Sequence, residues 1–331
     1  MQYRPLGRTG VDVSALCLGT VFYGSYVPDA DALRIVHAAL DRGINFFDTA
    51  EIYHRPHYGA AEELLGRALE GRRRGVVLAT KKRRDPDVYR TGGPGDHRLS
   101  RGQIVAAVEG SLRRLRTDHI DLYYAHHPDP TVPIEESLRA FDDLVRTGKL
   151  RYVALSNYSG WQVVEALWIA ERAGLVPIVG VQTLYNLLDR AAERELLPAC
   201  ARYGLAAVPY SPLAGGVLTA KYGRDGGPPP GSRAATFGHA AAGRPGHVPV
   251  LSQPNLAAAE RVAALAAELG TTATRASLAW VLHQPAIASV IVGASSVGQL
   301  DENLTAFELA LDAPALASLA AAADPPPHPT V

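Results

Sequence analysis

Four residues of the 331-residue chain stand where an apolar run breaks off into a polar loop. Asp48 ends N-F-F-D, Tyr53 follows it five residues later, Lys81 ends G-V-V-L-A-T-K, and His126 ends I-D-L-Y-Y-A-H. A phenol with a pKa near ~10 is a poor acid at neutral pH. An ammonium within a few ångströms favours the phenolate and lowers that value. A buried lysine would itself shed its proton unless a carboxylate held it, and Asp48 is available for that. The set therefore predicts a tuned proton donor at Tyr53, with His126 placed to orient a carbonyl by a hydrogen bond. Taken singly, the aspartate is also a helix cap, the lysine a solvated charge and the histidine a hydrogen-bonding filler. Their recurrence at equivalent points of successive units favours the joint reading. Lysine is scarce as well, occurring only at 81, 82, 149 and 221 against 29 arginines, so each one calls for a reason.

The elements that would carry these residues repeat along the chain. Short apolar, β-rich runs stand at 15–19, 45–50, 75–80, 120–126, 151–157, 177–183, 205–211 and 288–294. Amphipathic segments at 29–43, 59–71, 100–115, 133–149, 159–174, 193–204, 255–270 and 295–304 follow them in turn, several with a Ser, Asp or Asn start and a Gly stop. Eight strand–helix alternations predict a closed (β/α)8 barrel, one domain spanning 1–331, with its chemistry at the ends of the strands. A doubly wound nucleotide-binding sheet is the alternative, but no G-x-G-x-x-G follows the first strand. Y-R-P-L-G-R-T-G-V-D-V-S reads as an N-terminal β-hairpin closing the barrel's bottom. The Gly/Pro/Ala-rich stretch 213–254 is expected to be a long loop, serving as a lid or a binding loop or else disordered, and A-D-P-P-P-H-P-T-V a flexible end.

Composition narrows the class of function. Lys+Arg and Asp+Glu balance at 33 each, which offers no basic surface for nucleic acid or an anionic membrane. No apolar leader and no membrane span is visible, so a cytoplasmic protein acting on a small molecule is expected, with self-association into a homo-oligomer left open. Cys17 and Cys200 form no disulfide framework or metal motif and read as buried fillers. His126, His127, Asp129 and Asp48 are too few and too bunched for a metal hydrolase.

The segments D-T-A-E-I-Y, A-T-K and Y-Y-A-H-H resemble the signatures of the aldo-keto reductase superfamily. The resemblance runs along nearly the whole chain, from L-G-R-T-G and L-G-T to D-E-N. It implies carbonyl reduction with a nicotinamide cofactor on a (β/α)8 barrel. It also implies a tetrad of Asp48, Tyr53, Lys81 and His126, the first member of each pair Lys81/Lys82 and His126/His127 being taken.

A proton donor also needs a hydride source. Amide side chains can hold a carboxamide and a tyrosine face can stack on a flat ring. Ser156, Asn157, Gln182 and Tyr210 stand at strand ends, and with Thr20, Ser211, Pro212, Leu213 and Gly215 they are similar to the family's nicotinamide and pyrophosphate contacts. V-G-A-S-S-V-G-Q-L-D-E-N is similar to the family's closing motif and implicates Gly293, Ser295, Gln299, Glu302 and Asn303 at the adenine end. Ala294 and Ser295 stand where many members place a cation for the 2′-phosphate. A subgroup similar to the β subunits of voltage-gated potassium channels draws its cations from the loop after strand 7, which here offers Lys221 and Arg233. NADPH is the expected cofactor, with NADH as the alternative.

For the substrate, an aldehyde or ketone, the resemblance extends to reductases of keto-sugars. Tyr23, Tyr26, His54, His57, Tyr58, Tyr89 and Trp161 are expected along the pocket wall, and such a rim suits a polar, ring-containing carbonyl compound. Two other readings compete: a cofactor-binding regulatory subunit with vestigial activity, and an aldolase using Lys81 as a Schiff base.

Overall fold

The hairpin read from the N-terminal turn residues forms from β1 (Tyr3–Pro5) and β2 (Asp12–Ser14), paired antiparallel with Arg4 opposite Val13. Beyond it, the eight apolar runs become eight parallel strands in chain order: β3 (Leu16–Gly19), β4 (Phe46–Asp48), β5 (Val77–Lys82), β6 (Ile120–Ala125), β7 (Leu150–Ser156), β8 (Ile178–Leu184), β9 (Ala206–Tyr210) and β10 (Val290–Val292). The computed structural model describes residues 1–53, 57–83, 98–223, 228–232, 234–235 and 251–323. His54, Tyr89, Arg233, residues 224–227 and 236–250 of the 213–254 loop and the tail after Ala323 therefore lie outside the described residues.

Strand β10 pairs with β3 through Val290 and Leu16, and the ring is drawn together on its other side where Ala207 exchanges backbone hydrogen bonds with Ala286 and Ala288 at 2.9 Å each. The result is a (β/α)8 barrel. Its helices are α1 (Asp29–Asp41), α2 (Ala60–Ala68), α3 (Arg101–Leu115), α4 (Ile134–Arg146), α5 (Gly160–Ala173), α6 (Leu196–Tyr203), α7 (Gln253–Glu268), α8 (Ala273–Leu282), α9 (Val297–Thr305) and α10 (Ala313–Ala323).

Local chemistry explains these helices. In α4 the first turn carries Glu135 and Glu136 and the last carries Arg146, matching the helix dipole. Leu138, Phe141 and Leu144 on its buried face contribute on the order of 5–9 kcal/mol of gross burial. In α5, Gln162 accepts from the Ser159 amide at 3.0 Å, and Gly174 closes the helix at φ 63°.

Two helices escape the periodicity reading. In α8 every residue but Arg275 is buried, because α7 and α10 cover the side turned away from β10. A helix enclosed all round has no polar stripe to reveal it. The alanine-rich α10 is similarly without contrast, and it packs on α7 and α8.

The pleat sorts the core into two layers. Leu16, Leu18, Phe47, Leu78, Tyr123, Ala125, Val153 and Leu155 face the helices. Cys17, Phe46, Ala79, Leu122, Tyr124, Ala154, Val208 and Ile291 fill the barrel interior, which Leu6 and Val13 of the hairpin plug from below. Cys17 and Cys200 are both buried and unbridged.

Candidate active site

Side chains alternate along a strand, so the residues two places beyond the interior layer must also face inward. From Phe46 that residue is Asp48, from Ala79 Lys81, from Tyr124 His126, from Ala154 Ser156 and from Val208 Tyr210. All stand at the carboxyl ends of their strands, where a barrel of this kind carries its chemistry. The same parity separates the ambiguous pairs. Lys81 is fully enclosed, whereas Lys82 faces the other way and pairs with Glu51 at 2.9 Å.

Lys81 is the hub. Its Nζ donates to Asp48 Oδ1 at 2.5 Å, to the Thr49 carbonyl at 2.7 Å and to the Tyr53 hydroxyl at 3.3 Å. The second oxygen of Asp48 accepts from Gln182 Nε2 at 2.8 Å. The Asp48 carbonyl receives both the backbone amide and the hydroxyl of Thr20, at 3.0 and 3.1 Å. Thr20 is thus buried and occupied in fixing β4 to β3. His126 stacks on His127 with ring centres 5.0 Å apart, and its buried Nδ1 has no hydrogen-bond partner among the described residues.

Burial alone would strip the proton from Lys81, but Asp48 and Tyr53 more than offset it, so the ammonium is held above its ordinary range. Burial pushes the Asp48 carboxyl up against the pull of Lys81 and Gln182. His126 is driven well below the ordinary imidazole value by burial, then by Lys81, His127 and Arg83, and is neutral at pH 7. Tyr53 corrects the sequence expectation. Burial raises its pKa, and Lys81 offsets only part of this because the charge of Asp48 works the other way. The phenol keeps its proton throughout the neutral range. Lys81, protonated and triply engaged, offers no lone pair for a Schiff base.

The expected nicotinamide contacts form one connected rim. Asn157 adopts φ 64°, a conformation rare for a residue with a side chain. Its Nδ2 donates to the His126 carbonyl at 2.9 Å and to Ser156 Oγ at 3.0 Å, while its Oδ1 accepts from the Tyr210 hydroxyl at 2.7 Å. Ser211 is also at positive φ, 53°, and its carbonyl accepts from Asn186 Nδ2 at 3.0 Å. Pro212 is buried, Leu213 is half-buried and Gly215 turns at φ 66°. Ordered amides, a half-buried tyrosine ring and an unpartnered imidazole nitrogen fit a flat ring bearing a carboxamide.

Around β10 and α9, Gly293, Ser295, Gln299 and Glu302 are exposed, and a side chain at Gly293 would meet only the Gly19 carbonyl at 3.8 Å, leaving open space for a ligand. Gln299 Oε1 accepts from the Ser295 amide at 2.8 Å. Asn303 is buried and donates to the Gly293 carbonyl at 3.4 Å, so it braces this turn rather than facing outward. Lys81, Lys82 and Lys149 each pair with a carboxylate. Lys221 instead lies exposed over the Tyr222 ring, 5.3 Å from its centre, with no acidic partner among the described residues.

Of the expected pocket wall, Tyr26, His57, Tyr58 and Trp161 are exposed. Tyr23 is not a wall residue: it is 1% exposed and donates to the Ala294 carbonyl at 3.2 Å, tying the loop after β3 to that after β10. The backbone carbonyl of Thr49 and the loop-bracing Asn186 went unforeseen. A carbonyl carries no signal in residue type, and Asn186 gave only its place in L-Y-N-L.

The opposite end of the barrel holds a cavity of about 410 Å³ lined by Leu6, Asn45, Asp121, Arg151 and Tyr152 among others. Two of its charges pair with each other, since Asp121 accepts from Arg73 at 2.6 Å and from the cavity's Arg151 at 2.7 Å. Among the described residues no cluster of His, Cys, Asp or Glu could hold a metal ion, and no helix is long and apolar enough to cross a membrane.

Eight parallel strands form a (β/α)8 barrel with a buried acid and lysine and a half-buried phenol at one mouth, and the protein is an oxidoreductase by class. The chain belongs to the aldo/keto reductase family, whose profile matches residues 15–324. It is 40% identical over 316 residues to a Bacillus subtilis (strain 168) protein named "Uncharacterized oxidoreductase YrpG", covering 94% of this chain and 93% of that one. It is also similar to two proteins named "Probable voltage-gated potassium channel subunit beta". The rice protein is 37% identical over 314 residues, and the Arabidopsis thaliana protein 36% identical over 315. Each match covers 93% of this chain and 92% of the relative. Membership carries oxidoreductase chemistry on carbonyl compounds with a nicotinamide cofactor.

Proposed function

We propose that the protein reduces an aldehyde or ketone to an alcohol with NADPH, Tyr53 giving the proton. The observation that carries this reading is the buried hydrogen bonding of Lys81 to Asp48, Thr49 and Tyr53 at the carboxyl end of the barrel. Bound there, the reduced nicotinamide would supply the hydride. Asp48 keeps Lys81 charged, and Lys81 in turn holds the phenol oxygen and stabilises the negative charge that gathers on it as the proton leaves. His126, neutral, can give one hydrogen bond to the carbonyl oxygen without competing as an acid. Asn157, Gln182 and Tyr210 would hold the nicotinamide, and Ser295, Gln299 and Glu302 the adenine end. Lys221, a cation with no acidic partner among the described residues, favours a 2′-phosphate and hence NADPH over NADH; Arg233 is proposed as a second phosphate grip. The exposed aromatic and histidine rim suits a polar substrate such as a keto-sugar.

On this proposal the protein works in the cytoplasm on a small molecule, without a nucleic-acid or membrane partner. The channel-subunit relatives motivate a second reading, in which the cofactor is bound for regulation and turnover is vestigial. Fluorescence titration with NADPH and NADH separates the cases when followed by a panel of aldehydes, ketones and keto-sugars monitored at the nicotinamide absorbance. Binding with oxidation supports the reductase. Tight binding with no turnover on any carbonyl supports the regulatory reading, and no binding of either cofactor overturns both.

A further inference from the structure

We propose that Gln182 is a positioning residue for the proton donor: acting through Asp48, it holds the carboxylate ionised and aimed at Lys81, so that one amide serves both cofactor seating and the acid.

This goes beyond the cofactor contact assigned to Gln182 above, and it rests on that reading only for the cofactor half. The two oxygens of Asp48 are divided between Lys81 Nζ at 2.5 Å and Gln182 Nε2 at 2.8 Å. Asp48 is 2% exposed and Gln182 3%, so water does not replace either donor if it is lost. The pairing crosses the barrel from β8 to β4 and is not a neighbour effect of the pleat. It also spends a donor of the Gln182 amide, so the carbonyl oxygen of the same group is left to accept from an incoming carboxamide. Tyr124 lies nearby, its ring 5.8 Å from Lys81 Nζ. The charged and titratable groups that face Asp48 are Lys81, Tyr53, Tyr124 and Cys17. Burial disfavours the charge of Asp48, and among the described residues Lys81 and Gln182 counter it.

Four lysines make the test direct. In full-length protein labelled with 13C at the lysine ε carbon, the Lys81 signal is identified by removing the others with Lys82→Arg, Lys149→Arg and Lys221→Arg. The cofactor-free protein is titrated from pH 4 to 10 as wild type, Gln182→Leu and Gln182→Glu, and NADPH affinity and the pH profile of kcat on an aromatic aldehyde are measured alongside. In Gln182→Leu the acid-side response of Lys81, which follows protonation of Asp48, is expected to move up by roughly one to two pH units. The acid limb of kcat should move with it, and NADPH should bind more weakly. In Gln182→Glu a protonated carboxyl replaces the donor at low pH, and the Lys81 signal should depart from wild type as pH rises and the second carboxyl ionises beside Asp48.

If Lys81 titrates identically in wild type and Gln182→Leu while NADPH binding weakens, Gln182 is a cofactor contact alone and the inference fails. Should Gln182→Leu not fold, a Lys81 titration in Gln182→Glu that coincides with wild type overturns it equally. Absence of turnover on any carbonyl counts against the reductase and leaves the Lys81 readout intact, so the two failures are distinguishable.

Discussion

Replacing Lys81 by methionine removes one half of an ion pair whose side chains are 0% and 3% exposed. Among the described residues, Asp48 is then left buried with Gln182 as its only side-chain hydrogen-bond donor. Breaking a buried pair by deleting one partner costs about 3–5 kcal/mol. For a 331-residue chain, an unfolding entropy of roughly 2.1 cal/mol/K per residue converts that loss to a fall in melting temperature on the order of 4–7 °C. The pH dependence has a definite sign. In the wild type the raised Lys81 contributes stability that is fully present below the unfolded lysine value of about 10.4 and is lost as pH rises through its folded value. In the variant, Asp48 keeps a folded pKa above its unfolded one, so the variant is penalised progressively as pH rises out of the acid range and is relieved on acidification. The gap between the two proteins should therefore be widest from neutral pH to about 10 and close towards pH 4. Adding Asp48→Asn to Lys81→Met removes the stranded charge and should return at least about half of the loss. Thermal melts followed by near-ultraviolet circular dichroism at pH 5, 7 and 9, with guanidinium midpoints as a second measure, give all three quantities. A single variant melting within about 1 °C of wild type at pH 7, or a double variant no more stable than the single, would refute the argument that Asp48 and Lys81 are held as a buried ion pair.

Three further outcomes follow from the same site. Tyr53→Phe should lower kcat about 10²- to 10⁴-fold, the usual worth of a positioned acid, with NADPH affinity by fluorescence titration within about twofold of wild type; full retained activity would remove Tyr53 from the role of acid. Because burial pushes the Tyr53 phenol up, kcat/KM for reduction should stay level through neutral pH and fall only above the ordinary phenol value of about 10, while alcohol oxidation should rise over the same window. A reduction limb centred near pH 7 would contradict the burial argument. Lys221→Ala should weaken NADPH about 3- to 10-fold in titration, the range for an exposed cation on a phosphate, and leave NADH nearly unchanged; equal losses for both would sink the 2′-phosphate role.

Much of this protein is determined by the sequence alone. Apolar runs that end in a polar residue, each followed by an amphipathic stretch, leave few ways to bury both patterns other than a ring of parallel strands under a layer of helices. Once that ring exists, period-two alternation puts Asp48, Lys81 and His126 on its inner face, because they stand two places beyond Phe46, Ala79 and Tyr124. The hairpin was legible for a similar reason, since its turn residues separate two short extended pieces.

What the tertiary structure decided is what depends on atoms far apart in the chain or on burial that no single segment reveals. Helix α8 shows no stripe because other helices enclose it. Tyr23, by type and position a pocket aromatic, is buried because the Ala294 carbonyl, 271 residues away, receives its hydroxyl. The acidity of Tyr53 follows a balance between desolvation and two opposite charges, and the presence of a lysine nearby does not fix its direction. Gln182 could be placed at a strand end from its neighbours, yet its bond to Asp48 spans 134 residues and exists only because the barrel closes. Residue type and spacing select the chemistry available to a site, while the strengths and directions of its charges are set by which groups share a dry interior.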